Sequence, residues 1–191
     1  MDRIPAYILA GGKSSRFGSD KALALFSGQP LIQRIAEIVR PHVARIVVVA
    51  DRTDRYAHLG LHTIPDLEAG LGPLGGLLAA LSNCQDDGWL FLLSCDLLTV
   101  NPAWLDILLE HRTSTSRAVA FRTDRWQPLL ALYKTSIRNT VMDRLRSSDR
   151  SMQALLIEVG AIEAPLPSDW PKMLQANHPQ DLIKASHIIE P

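Results

Sequence analysis

The segment Trp89-Leu90-Phe91-Leu92-Leu93-Ser94 is an almost unbroken apolar run that stops abruptly at Cys95-Asp96. A strand of that composition has no polar face to turn toward water. It must be covered on both sides, which is the position of a central strand in a sheet sandwiched between helices. A second apolar run, Ile4 to Ala10, ends in Gly11-Gly12 and also reads as a buried strand. Arg45 to Ala50 and the short His62-Thr63-Ile64 read as further strands. Helical spacing over Leu31 to Val39, Leu77 to Asn83 and Ala103 to His111 supplies the covering layers, with Asn101-Pro102 as N-cap and first helical position of the last. Strands alternating with helices predict right-handed crossovers. The expected fold class is therefore α/β, a three-layer α/β/α Rossmann-like architecture with a mostly parallel central sheet and ligands at its C-terminal strand ends.

The second half is less regular. Arg117 to Arg122 and Leu129 to Tyr133 read as strands, Ser136 to Leu145 and Ser151 to Val159 as helices, and Ala161 to Ala164 as an edge strand. Asn177-His178-Pro179 opens a last helix through Ile188. No repeat is visible. A chain of 191 residues suits a single domain spanning 1–191.

Charge narrows the function. Twenty basic residues balance twenty acidic ones, whereas a sequence-independent nucleic-acid binder needs a basic excess. The polar start Met1-Asp2-Arg3 does not read as a secretory leader and no apolar stretch is long enough to span a bilayer, so no membrane association is expected. Cys84 and Cys95 are too few for a disulfide scaffold. A cytoplasmic monomer is the expectation.

Glycine motifs offer three readings. Gly12-Lys13-Ser14 ends like a phosphate-binding P-loop, but the required earlier glycine falls on Tyr7, inside the first strand. Gly70-Leu71-Gly72-Pro73-Leu74-Gly75 fits a dinucleotide fingerprint literally, with Asp96 about 20 residues beyond. This is the rival reading of an NAD(P)-dependent oxidoreductase. Against it, Pro65 to Ala69 separate the strand from the first glycine, and the N-terminal motif is left without a role. That motif is the third reading. Gly11-Gly12 at a strand end lets a ligand approach the backbone closely, and amides in such a turn cup an anion. Arg16 and Lys21 add positive charge, with Gly18 allowing a left-handed turn between them. The plain alternative is a glycine turn carrying two solvated cations.

Taken together, Leu9-Ala10-Gly11-Gly12-x-x-x-Arg16-x-Gly18-x-x-Lys21 resembles the signature of the nucleotidyltransferase superfamily. Gly72-Pro73-Leu74-x-Gly76, Cys95-Asp96 and Asn177-x-Pro179-x-Asp181-Leu182 narrow the resemblance to the molybdenum cofactor guanylyltransferases, over almost the whole chain and in order. The resemblance implies transfer of GMP from Mg-GTP to the phosphate of molybdenum-molybdopterin, giving the guanine dinucleotide cofactor and pyrophosphate. It implies a nucleotide-binding half at about residues 1–100 and an acceptor half at about 101–191 of one nucleotidyltransferase domain. By position, Leu9, Ala10 and Gly11 would contact the nucleotide through the backbone, Lys21 would bind phosphate with Arg16 beside it, and Asp66 would contact the nucleotide. Asp96 would hold Mg²⁺ and touch the GTP. Partners implied are GTP, molybdenum-molybdopterin and proteins of molybdenum cofactor synthesis or molybdoenzyme maturation. Lys13 has no essential part in this reading.

Several positions depart from the family pattern. Phe17 stands where Met is common, Leu98 where Pro is common, and Val49-Ala50-Asp51 where some relatives carry an Asn that holds the nucleotide. Gln175 and His178 stand where Asn and Thr are usual. A transferase using CTP or another phosphorylated acceptor, and a non-catalytic nucleotide sensor, are the alternatives nearest to hand.

Other clusters read more plainly. His58 and His62 have helical spacing, but Gly60 and the following strand argue against a metal-binding helix face. Cys95 reads as a packed thiol rather than a nucleophile. Arg144, Arg146 and Arg150 read as a solvated helix end or an aid in steering an anionic acceptor. Trp126-Gln127-Pro128 reads equally as acceptor-site lining or as packing.

Overall fold

Chemistry of the kind just outlined depends on which strand ends share an edge of the sheet. The strands are β1 (Ala6–Leu9), β2 (Leu25–Phe26), β3 (Gln29–Pro30), β4 (Ile46–Ala50), β5 (Thr63–Pro65), β6 (Trp89–Ser94), β7 (Ala118–Arg122), β8 (Trp126–Lys134) and β9 (Ile162–Ala164). The helices are α1 (Leu31–Val39), α2 (Gly72–Asn83), α3 (Ala103–Glu110), α4 (Arg138–Arg146), α5 (Met152–Glu158) and α6 (Pro179–Ile189). This computed structural model describes residues 3–11, 17, 20–67, 70–84, 88–171 and 174–189, with side chains to residue 186.

A seven-stranded sheet has the order β5-β4-β1-β6-β8-β7-β9. β5, β4, β1 and β6 are mutually parallel, as are β7 and β9. β8 runs against both its neighbours, so the sheet is mostly parallel, as expected. From β1 the chain moves outward through β4 to β5, then crosses back to lay β6 on the other side of β1. The β1/β6 boundary is thus a topological switch point, where connections on opposite faces leave a crevice above the strand ends.

Both faces of the sheet are buried, and the side chains divide by alternation. Ile8, Val48, Phe91 and Leu93 pack with Ile32, Ile35, Trp104 and Leu108 under α1 and α3. Tyr7, Leu9, Val47, Val49, Leu90 and Leu92 pack with Leu74, Leu77, Val141 and Leu155 of α2, α4 and α5. The apolar run in β6 is fully accounted for by this double cover, since Leu90 through Leu93 are each 0% exposed.

Two elements are longer than sequence pattern predicts. β8 begins at Trp126 rather than Leu129. Pro128 disguises that start because it lacks the ladder N–H. It sits beyond the stretch paired with β6 and at the irregularity between Ala120 and Arg122 on the β7 side, where a donor is dispensable. α2 begins at Gly72, not Leu77. Its glycines weaken helix propensity, but Gly75 and Gly76 are required by contact. A Cβ on Gly75 would lie 2.6 Å from the Leu71 Cβ and 3.2 Å from Asp66 Oδ1; one on Gly76 would lie 2.8 Å from a Leu9 methyl.

The C-terminal segment closes on the other side of the site. Leu98 N–H donates to the Leu174 carbonyl at 2.9 Å and Ala176 N–H to the Asp96 carbonyl at 3.1 Å. A proline at position 98 would forfeit the first bond, which gives the Leu found here a function. Leu98 then packs with Phe26, Leu31, Ala176 and Ala185. Asp181 caps α6 by accepting from the Asn177 and His178 amides, both at 2.8 Å.

Gly75→Ala should test the glycine packing. Overpacking costs about 1–3 kcal/mol against a gain of about 1 kcal/mol in helix propensity, and a mid-range net loss of about 1 kcal/mol lowers Tm by about 2–4 °C. An unchanged or higher Tm in a thermal melt would show that α2 has room to spare.

Candidate functional site

The C-terminal ends of β1 and β6 are tied together past the strands themselves. Cys95 N–H donates to the Leu9 carbonyl at 3.1 Å, and Ala10 N–H donates to Val49 at 2.9 Å. These bonds commit Leu9 and Ala10 to the sheet. Gly11 is the first residue beyond it and is exposed. Its missing side chain faces the Ala50 backbone, with 3.9 Å to the Ala50 Cα from where a Cβ would stand. Leu9, Ala10 and Gly11 therefore form one rim of the crevice, as their sequence position implies.

Asp96 forms the other rim. It lies in the turn after β6 and is buried. Its Oδ2 pairs with Lys21 Nζ. Its Oδ1 is buried without a hydrogen-bond partner among the described residues. Lys21 also lies over the Phe17 ring, 5.2 Å from the centroid, so an aromatic residue at 17 gives the cation a second favourable neighbour. With side chains 18% and 11% exposed, the two charges are largely withdrawn from water, where each costs free energy unless paired.

Lys21 reaches Asp96 because Asp20 fixes the chain just before it. Asp20 caps a single 3₁₀ turn, Lys21–Leu23, by accepting from Ala22 N–H at 3.0 Å. A hairpin of β2 and β3 follows. Its turn residues Ser27 and Gly28 both have positive φ, at 51° and 78°, as a two-residue hairpin turn demands. The hairpin leads into α1, whose Arg34 donates to the Leu98 carbonyl at 3.1 Å.

Asp66 ends β5 on the same edge of the sheet, two strands from β1. Its N–H donates to the Ala50 carbonyl at 2.6 Å, and its Oδ1 is turned toward the glycines of α2. The structure thus puts Lys21 and Asp96 in direct contact and sets Asp66 along the same edge. Arg16 lies outside the described residues, as do Gly12, Lys13 and Gly18.

Sequence reasoning missed Arg55 and Tyr56. Arg55 donates to Asp20 Oδ2 from Nε at 3.1 Å and from Nη2 at 2.8 Å, and also pairs with Asp51. Its bond to Asp51 above all, then those to Asp20, hold its guanidinium above the ordinary range. Tyr56 is fully buried. Its hydroxyl lies 3.0 Å from Asp20 Oδ2 and 3.3 Å from the Ala10 carbonyl. Burial, reinforced by the Asp20 charge, pushes this phenol well above its usual value, so it stays a neutral donor at any working pH. The i,i+4 spacing of Asp51 and Arg55 was the one legible hint.

The remaining candidates resolve structurally. Cys95 is buried, and desolvation followed by the Asp96 charge pushes its thiol up to about 12, which leaves no thiolate for attack. His58 lies in a 3₁₀ turn and His62 before β5, not on one helix face. No group of three metal-ligating side chains occurs among the described residues. Arg144 pairs with Asp149 and Glu158, and Arg146 with Asp143. Trp126 is buried, and its backbone donates to the Gln153 side-chain oxygen at 3.0 Å and accepts from the side-chain amide at 2.8 Å. The Gly70-to-Gly75 segment follows an edge strand rather than the strand at the switch point, the wrong place for a dinucleotide turn.

What this edge offers is a cation and a carboxylate facing one crevice, suited to a charged phosphoryl group, and the chain is a nucleotidyltransferase. Residues 6–162 match the family model for the MobA-like NTP transferase domain, and the chain belongs to that family. A relative from Deinococcus radiodurans is 38% identical over 78% of this chain and 77% of its own. One from Synechococcus elongatus is 34% identical over 92% and 94%. Each carries the name "probable molybdenum cofactor guanylyltransferase". The crystal structure of molybdopterin-guanine dinucleotide biosynthesis protein A from Archaeoglobus fulgidus shares the fold, with a TM-score of 0.82 at 24% identity over 97% of this chain and 98% of that one. No helix among the described residues is long and apolar enough to cross a membrane.

A double-mutant cycle on unfolding free energy tests the central pair. Lys21→Met and Asp96→Asn should each deprive a mostly buried charge of this opposite charge, and the coupling between them should be about 1 kcal/mol or more. A coupling near zero would mean that water screens the pair as it screens surface ion pairs.

Proposed function

We propose that the chain transfers GMP from Mg-GTP to the phosphate of molybdenum-molybdopterin, releasing pyrophosphate, and that it works as a single domain. The observation that carries this reading is the Lys21–Asp96 contact across the β1/β6 switch point. The names of the relatives give the substrate class.

The residues fit a magnesium nucleotide. Mg²⁺ is commonly held by one or two carboxylates, with substrate phosphates and waters completing its shell. Asp96 Oδ1 is a buried acceptor with no hydrogen-bond partner among the described residues, and Asp66 is a second carboxylate along the same edge. A bound Mg²⁺ supplies neutralisation of charge on the transferred and leaving phosphates. When a triphosphate enters, Lys21 exchanges its carboxylate partner for phosphate oxygens, freeing Asp96 Oδ2. The exposed Gly11 lets the nucleotide approach the end of β1, Asp66 contacts it beside α2, and Arg16 adds charge from the same loop. An oxygen of the acceptor phosphate attacks the α-phosphorus of GTP. The bond from that phosphorus to the bridging oxygen breaks, and pyrophosphate departs with the bonding electrons. No enzyme nucleophile is needed, because positioning and electrostatics supply the catalysis.

Pyrophosphate release should require Mg²⁺, loaded molybdopterin and GTP, with CTP a poor substitute. Equal rates with CTP would overturn the guanylyl assignment. Asp96→Ala should lower kcat by at least about 100-fold, whereas Lys21→Ala should raise the KM for GTP about tenfold or more. A Lys21→Ala enzyme with wild-type GTP affinity would remove the phosphate role.

A further inference from the structure

The chain leaves β1 at Ala10 and returns at Asp20, and a single side chain spans these two points. The Tyr56 hydroxyl shares its one proton between the Ala10 carbonyl at 3.3 Å and the Asp20 carboxylate at 3.0 Å. Arg55 grips one oxygen of the same carboxylate, Oδ2, through two nitrogens, a charge-assisted contact from a rigid planar group. Arg55 is itself oriented by Asp51, one residue past β4. Asp20 therefore accepts at both oxygens: Oδ1 from the Ala22 amide, Oδ2 from Arg55 and Tyr56. Neither Arg55 nor Tyr56 touches Lys21 or Asp96 in any of these contacts. What they fix is the backbone immediately before Lys21 relative to the end of β1.

We propose that Tyr56 and Arg55 are positioning residues, locking Asp20 to the β1 end so that Lys21 emerges aimed at the phosphate site. The reason is geometric. A lysine has a long stem with several rotatable bonds and binds phosphate as a point charge. Its aim depends on where its Cα is held, and a single-turn 3₁₀ element cannot hold it alone. The clamp ties the residue before Lys21 to β1 and β4, two of the most buried strands. The assignment rests on the nucleotide reading of Lys21 given above.

Tyr56→Phe removes only the hydroxyl and keeps the buried ring. It should weaken Mg-GTP binding in calorimetry by about three- to tenfold, the range of one net hydrogen bond, while Tm moves by no more than a few degrees. Amide exchange over residues 20–24 of the ligand-free protein should accelerate. Arg55→Ala should behave alike, with Arg55→Lys recovering part of the affinity. The decisive arm is Tyr56→Phe combined with Lys21→Ala. If the clamp acts through Lys21, the double variant binds no more weakly than Lys21→Ala alone. Additive losses, wild-type affinity in Tyr56→Phe, or a loss that merely follows Tm would overturn the proposal. If the wild-type protein binds no Mg-GTP, the nucleotide reading fails first. The clamp itself is then judged by exchange over residues 20–24, and unchanged exchange in Tyr56→Phe refutes it.

Discussion

Because β1 and β6 are covered on both faces, neither strand can carry a charged side chain along its length without burying it unpaired. Polar chemistry is confined to where these strands end. The crossover from β5 back past β1 puts those two ends side by side with connections leaving on opposite faces, so the crevice follows from the strand order. Cys95 and Leu9 share a backbone bond at its floor. The apolar character of β6 and the placement of Asp96 are thus one fact: a strand fully dry through Leu93 delivers a carboxylate at its first opportunity to be useful.

A carboxylate in that position is costly unless a cation meets it. Lys21 meets it here, and the surrounding structure keeps it there: Asp20 through its cap and clamp, Phe17 beneath the ammonium, and residues 174–176 pinning the backbone of Asp96 and Leu98. In the proposed reaction the same two charges are divided between metal and triphosphate. In that proposal the resting ion pair and the loaded site are alternative ways to satisfy one buried carboxylate, and metal binding would be coupled to nucleotide binding.

Much of this was legible from residue order. Alternating patterns located β1, α1, β4, β6 and α3 to within a residue or two, because each buries a clear apolar stripe or face. The start of α2 was hidden, since its glycines are poor helix formers: Gly75 and Gly76 sit there for close contact with Leu71, Asp66 and Leu9, and Gly72 for its positive φ of 66°. Pro128 hid the start of β8 for a related reason, a local penalty tolerated at a bulge. Leu9, Lys21, Asp66 and Asp96 were legible as a motif set. Arg55 and Tyr56 were not, because their importance lies in meeting Asp20 some 35 residues earlier in sequence. No local periodicity encodes that meeting.

The account stands on Asp96 as the residue through which metal and nucleotide are coupled. Calorimetric titration of GTP into the wild-type protein and Asp96→Asn, with and without Mg²⁺, measures that coupling directly. Mg²⁺ should tighten GTP binding to the wild type by about tenfold or more, and this enhancement should vanish in Asp96→Asn while metal-free binding persists. An Asp96→Asn variant that keeps the full Mg²⁺ enhancement would contradict the account.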